Sequence, residues 1–258
     1  MANLKPLITD SLHDKLLWEK PERKDQSGSI TILGGFNFKL KEVDTIFKAA
    51  KGYGVGSVFA LVPESLAKVF KREDPYLVPI TLDNYFGLTD FSFEKINQEV
   101  AISNALIIAD IGNNSSTILR LARLVSNSIK PVVITNSSIS LGLSFAEDLL
   151  KNPNLILIIN FQNLQKIIKS SNIKLNQPLT SELGILKKID LMNNLTSNIQ
   201  AKIILIDEKR VISVESGYYL NQPLNIDELS LASKLTAWRI WSPSTNFLEH
   251  VSISNQAN

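Results

Sequence analysis

The 258 residues carry 27 Lys and Arg against 25 Asp and Glu, a net charge of +2 without a long basic run. Electrostatics therefore gives no footprint for nucleic acid or an anionic membrane, and the absence of cysteine excludes disulfides, thiolate metal sites and cysteine nucleophiles. A hydrophobic share of 44% and a charged share of 20% fit an ordinary globular chain, long enough for one large core.

Asp10, His13 and Asp14 interrupt the N-terminal stretch before it reaches signal-peptide length, and no window approaches a membrane span. A cytoplasmic protein is the default expectation. Residues 1–28 read as an arm ending in the charged, turn-prone EKPERKDQSGS, and residues 29–258 as a single α/β domain. From Ser29 the pattern becomes regular. SITIL is a short apolar strand ending at Gly34-Gly35; VDTIFKAAKGYG has apolar residues at helical spacing and stops at Gly52 and Gly54; SVFALV is the next strand. Pro63-Glu64-Ser65 opens a short helix, and VPITL (78–82) is a further strand.

A polar, aromatic-bearing segment then leads to a helix near Phe93–Ile102 and to ALIIADIG, the clearest buried strand. The turn GNNSS enters the helix TILRLARLVSNS; PVVITN, FAEDLLKN, LILIIN and FQNLQKIIKSS continue the strand–helix alternation. A long helix is expected over 180–198. KIILID and RVISVES, split by Glu208-Lys209, read as a hairpin or two neighbouring strands, with Lys202 solvated. A helix over 226–241 precedes a polar tail. Continuously apolar central strands alternating with helices define a mainly parallel sheet covered on both faces.

Two turns stand out chemically. In LGGFN (33–37), Gly34 and Gly35 let the backbone turn tightly and approach a phosphate or sugar; the turn is equally explained as a sterically required strand-to-helix connection. It is not the full dinucleotide fingerprint. In ADIGNNSS (109–116), Asp110, Gly112, Asn113 and Asn114 converge at a strand's C-terminal end, with Ser115 or Ser116 serving as helix N-cap. The other strand ends, TNSS (135–138) and NFQN (160–163), offer hydrogen bonds but no group that moves protons near neutral pH. The two histidines, His13 and His250, lie in terminal arms and suit surface or packing roles, so no triad or metal site can be assembled.

The order of these motifs resembles the ADP/ATP-dependent NAD(P)H-hydrate dehydratases of the ribokinase-like superfamily. SITILGG followed by KAAKGYGVGSVFALVPES is similar to that family's first unit, ALIIADIGNN to its Gly-Pro-Gly-Leu-Gly strand, and PVVITNSSI, IINFQNL and ILIDEKRVISV to its later segments. The resemblance runs from Ser29 to Ser216. It implies a three-layer α/β/α sandwich of ribokinase-like fold and a nucleotide site of Gly34, Gly35, Asn37, Asp110, Gly112, Asn113, Asn114, Asn160 and Asn163. It also implies ADP or ATP and hydrated NAD(P)H as ligands. Magnesium is compatible with such ligands, but the sequence supplies no ligand set and no metal site. Family members assemble into tetramers, so a homo-oligomer is allowed.

The departures fall on the catalytic end. Asp110-Ile111 replaces the first Pro-Gly pair, Thr135 and Ser137 stand where aspartates are expected, and Asn160, Asn163 and Ile206-Asp207 replace a histidine, a glutamate and a Lys-Gly pair. No Gly-Thr-Gly-Asp follows Gly217. QPLNIDELSLASKL occupies its approximate place, and Asp227 is outside any glycine turn. That motif supplies the family's catalytic aspartate and phosphate clamp, so no catalytic residue is assigned here. The reading is a diverged, dehydratase-like nucleotide-binding protein, a lyase if turnover survives and a pseudoenzyme if it does not. A ribokinase-like small-molecule kinase and a non-enzymatic oligomerising module stay open beside it. Gly35→Trp is expected to block the ligand turn while leaving the fold intact.

Overall fold

The computed structural model describes residues 4–7, 12–37, 40–68, 77–174, 180 and 183–256, without the side chains of residues 12, 13 and 144. The chain begins with β1 (Lys5–Pro6) and α1 (Leu12–Glu19), then β2 (Ser29–Gly34), α2 (Leu40–Tyr53) and β3 (Ser57–Pro63). It continues through α3 (Glu64–Ala67), β4 (Leu77–Ile80), α4 (Asp90–Ile102), β5 (Ala105–Ala109), α5 (Ser115–Ser126) and β6 (Val132–Ile134). Next come α6 (Ile139–Ser144), α7 (Ala146–Leu149), β7 (Leu155–Asn160), α8 (Phe161–Ser170) and α9 (Ile185–Thr196). Three strands, β8 (Lys202–Asp207), β9 (Arg210–Glu215) and β10 (Tyr218–Pro223), precede α10 (Glu228–Trp241) and α11 (Phe247–Ser254).

The strands form one sheet in the order β1-β10-β9-β8-β7-β6-β5-β2-β3-β4. Pairing is parallel except at β9, which runs against both β8 and β10. Side chains alternate across the sheet and feed two cores. In β7, Leu155, Leu157 and Ile159 pack with α4, α5, α8 and α9, while Ile156 and Ile158 face α2, α10 and α11. This two-sided burial explains why the central strands are unbroken apolar runs. The three-layer sandwich expected from the sequence is the observed architecture.

Several elements differ from expectation. The expected polar tail contains α11, whose Phe247, Leu248 and Val251 are buried in the same core as α10. Strand β10, YYLNQP, was hidden by its polar Asn and Gln, because only one face of it meets the core. The segment after β6 forms two short helices, α6 and α7, rather than one. Helix α9 starts at Ile185 behind the N-cap Gly184, later than expected, with residues 181 and 182 outside the described set. Lys202 is not solvated but only partly exposed, and forms an ion pair with Glu215 across β8 and β9.

The described residues before Ser29 are tied to the body by named contacts. Lys5 N–H and Leu7 N–H donate to the Gly217 and Tyr219 carbonyls, and Leu16 packs on Trp238 and Ile253. Trp241 Nε1 donates to the Ser27 carbonyl at 2.9 Å and its ring stacks on Tyr53. Trp241 is thus engaged within the chain. His250 is fully buried, which is the packing role; the side chain of His13 lies outside the described residues.

Candidate functional site

Because β2, β5, β6, β7 and β8 are parallel, their C-terminal ends share one edge of the sheet, the edge where ligands collect in open α/β folds. Gly34 closes β2 there. It pairs with Ala109 of β5, and a Cβ on it would stand 2.0 Å from the Ala109 carbonyl oxygen. Close backbone approach therefore requires this glycine. Gly35 has φ +83°, and a Cβ on it would meet Leu66 Cδ1 at 3.0 Å. Both glycines are demanded by the turn itself. A tryptophan at Gly35 would collide with Leu66 and Pro63 in a left-handed backbone, so the expectation that Gly35→Trp spares the fold is corrected.

Asp110 is the hinge of the edge. It is wholly buried, its φ is +56°, and Gly112 follows at +71°. A non-glycine residue in this region is uncommon, and a short polar side chain able to bond locally is what tolerates it. Its carboxylate accepts from Asn37 Nδ2 at 2.8 Å and from Asn37 N–H at 3.2 Å, while its carbonyl accepts from Phe36 N–H. The two turns singled out in the sequence are thereby joined. Ser137 and Ser138 hydroxyls accept from the Asp110 and Ile111 N–H groups, and Ser140 donates to the Gly112 carbonyl.

Above this joint lies a cleft of about 360 Å³ lined by Phe36, Asn37, Tyr85, Phe86, Ile111, Gly112, Asn113 and Asn114. Four of the nine proposed site residues line it: Asn37, Gly112, Asn113 and Asn114. Asp110 supports it from below, while Gly34 and Gly35 shape the turn behind it. Among the described residues no charged side chain lines this cleft. Sequence reasoning missed its aromatic wall, although LDNYFG carries a signal: Asp83 accepts from Tyr85 and Gly87 N–H, both at 2.8 Å, an Asx-turn. That turn holds Tyr85 84% exposed and Phe86 57% exposed, the latter at φ +60°.

Asn114 connects wall and floor. Its Oδ1 accepts from Thr117 N–H, making it the N-cap of α5 in place of the expected serines, and its Nδ2 donates to the Tyr85 carbonyl at 3.0 Å. Asn114→Ala is expected to lower stability by about 1–2 kcal/mol through the lost cap, measured by urea unfolding, and to loosen the Tyr85 loop. Unchanged stability would show that the cap carries no weight.

Asn160 and Asn163 belong to a neighbouring network, not to this cleft. Asn160 caps α8 by accepting from Asn163 N–H, and Asn163 Nδ2 donates to Asn136 Oδ1 at 2.7 Å. Asn136 N–H in turn donates to Glu228 Oε1 at 2.7 Å. Glu228 opens α10 and is the proton-transfer candidate that sequence reasoning missed. Burial pushes its carboxyl up to about 7, against the Asn136 hydrogen bond and with help from Glu42 and Asp227. At the same helix end, Asp227 Oδ1 accepts from Leu229 and Ser230 N–H at 3.0 and 2.9 Å. Two of the N–H groups that a phosphate clamp would use at a helix start, those of Leu229 and Ser230, are already satisfied by the protein's own carboxylate.

No protein-family model matches the chain, and no curated protein matches it in sequence. Its shape is informative. A ribokinase-like superfamily protein from Enterococcus faecalis V583 superposes with a TM-score of 0.70 at 12% identity, covering 98% of this chain and 85% of that one. The ADP/ATP-dependent NAD(P)H-hydrate dehydratase from Bacillus subtilis, co-crystallised with ATP and Mg2+, gives 0.63 at 11% identity, covering 99% and 87%. Phosphomethylpyrimidine kinase from Clostridium difficile 630 gives 0.55 at 11% identity, covering 88% and 96%. The chain has the ribokinase-like fold. Among the described residues no helix is long and apolar enough to cross a membrane, and no group of three or more Asp, Glu or His could hold a metal ion.

Proposed function

We propose that the chain is a diverged, nucleotide-binding protein of the ribokinase-like fold that no longer turns its ligand over. It takes the nucleoside part of an adenine or nicotinamide nucleotide in the Phe36–Asn114 cleft. The observation that carries the reading is the start of α10, where Asp227 occupies the helix N–H groups and Glu228 adds a second carboxyl. A phosphate arriving there would lose its donors and face like charge. Among the described residues the cleft is lined by no charged side chain; it is aromatic on one wall and amide-bearing on the other, which suits a planar ring that stacks and exchanges hydrogen bonds. Fold neighbours named as an ADP/ATP-dependent dehydratase and a phosphomethylpyrimidine kinase support a ligand of this class.

Titration with adenosine and nicotinamide riboside tests it. Tyr85→Ala removes an exposed ring without touching the core, and is expected to weaken binding about tenfold, from the ~1–3 kcal/mol of base stacking. Affinity that survives the change would remove the ligand from this wall. Hydrated NADH incubated with ADP or ATP is expected to persist at high protein concentration.

The raised carboxyl of Glu228 favours a second reading, in which turnover survives with Glu228 as the proton-transfer group. Under that reading the hydrate disappears, with an apparent pKa near 7 in the rate. Glu228→Gln then abolishes the reaction while sparing nucleoside binding.

A further inference from the structure

We propose that the cavity beside the β8–β9 hairpin is a second ligand site, built for a small zwitterion of free amino-acid size. It encloses about 510 Å³, lies on the α8 and α9 side of the sheet, and shares no residue with the Phe36–Asn114 cleft. Its polar lining is Lys188, Asp207, Glu208, Arg210 and Asn221, with Leu183 and Ile185 as apolar walls.

The charges are arranged in layers. Lys188 and Asp207 form an ion pair at 2.5 Å with side chains only 5% and 13% exposed, and the ammonium stands 5.2 Å from the centre of the Phe161 ring. A pair so nearly dry costs desolvation that its own attraction only partly offsets, so it is a weak stabilising device. It does give the cavity a polar, electrically balanced wall.

Arg210 and Glu208 complete the lining. The Arg210 guanidinium is fixed by Asn221, through Nε to Oδ1 at 2.7 Å and Nη2 to the carbonyl at 3.4 Å. That anchoring leaves Nη1 without a hydrogen bond among the described residues, on a group already held in place. The Glu208 carboxylate has no ion-pair partner among the described residues. The hairpin turn presents it from a left-handed backbone, φ +45°, with Lys209 at +61°.

Two cations and two anions therefore line one cavity. A doubly charged anion such as phosphate would be opposed by Asp207 and Glu208, and a simple cation by Lys188 and Arg210. A molecule with one carboxylate and one ammonium can satisfy Arg210 and Glu208 together. The volume leaves room for its side chain between Leu183 and Ile185.

The test is a thermal-shift and calorimetric screen of the full chain with each of the common free L-amino acids. Inorganic phosphate and choline serve as controls that carry charge of one sign only. At least one amino acid is expected to raise the melting temperature saturably, by about 4 °C at ligand roughly tenfold above its dissociation constant. Arg210→Gln should weaken that binding about tenfold. Glu208→Asn, chosen because asparagine tolerates the left-handed turn, should do the same without altering the fold. A screen with no responding amino acid, a response that both variants retain, or an equal response to phosphate alone would each overturn the proposal.

Discussion

Glu228→Gln is expected to make the protein lose stability as pH falls from 6.5 to 4.5, whereas His250→Leu is expected to make it lose stability as pH rises through that window. Burial raises the Glu228 carboxyl from 4.5 to about 7. Burial, helped by the Arg239 guanidinium and opposed by the backbone of Ser242, lowers the His250 imidazole from 6.5 to about 3. A raised carboxyl contributes fully below 4.5, and the contribution is lost as pH rises through about 7. A lowered imidazole costs nothing above 6.5; below it the unfolded chain takes up a proton that the native state refuses, so stability falls toward pH 3.

Between those limits the two slopes oppose each other and the native protein hides both. Removing either group exposes the other at about 1.4 kcal/mol per pH unit, roughly 3 kcal/mol across the window. Partial solvent contact at Glu228 makes its slope the shallower of the two. In melting temperature the effect is about 6–12 °C for a domain of this size. Urea unfolding at a series of pH values checks it, and superimposable pH profiles for the two variants would contradict it.

Gly34→Ala is expected to cost more than about 4 kcal/mol or to abolish folding, the largest single-residue effect in the edge. The added methyl would overlap the Ala109 carbonyl oxygen at 2.0 Å, in the packed centre of the sheet, and press on Val43 Cγ2 of α2 at 3.0 Å. The carbonyl cannot move without separating β2 from β5. Gly35→Ala meets only the end of the Leu66 side chain, but in a left-handed backbone, so about 1–2 kcal/mol is expected there. A urea midpoint for Gly34→Ala equal to the native one would remove the close approach from the account.

The architecture was legible because two-sided burial writes itself as unbroken apolar strands, and the central β5, β6 and β7 carry that mark most completely. What stayed hidden has physical causes. Strand β10 is half polar because it meets the core on one face only. Helix α11 follows a loop of polar residues that makes it look like a tail. At the site, the residues near Asp110 were found because a carboxylate ends an apolar strand. Tyr85 and Phe86 were not, because their distance in sequence from Asn114 conceals a direct hydrogen bond. Glu228 was overlooked for a different reason: its carboxyl is raised by burial that only the fold creates, beside Asn136, 92 residues away, whose hydrogen bond opposes the rise. The Asp227 cap was readable as an acidic residue before a helix, but its consequence, a closed anion site, needed the fold.

The most direct measurement of the central claim is a pair of calorimetric titrations of the native protein, with adenosine and with ADP. If the start of α10 is satisfied by its own carboxylates, both bind and their dissociation constants agree within about threefold, because the phosphates find no donors. ADP binding at least about tenfold tighter than adenosine, or no binding of either, would contradict it.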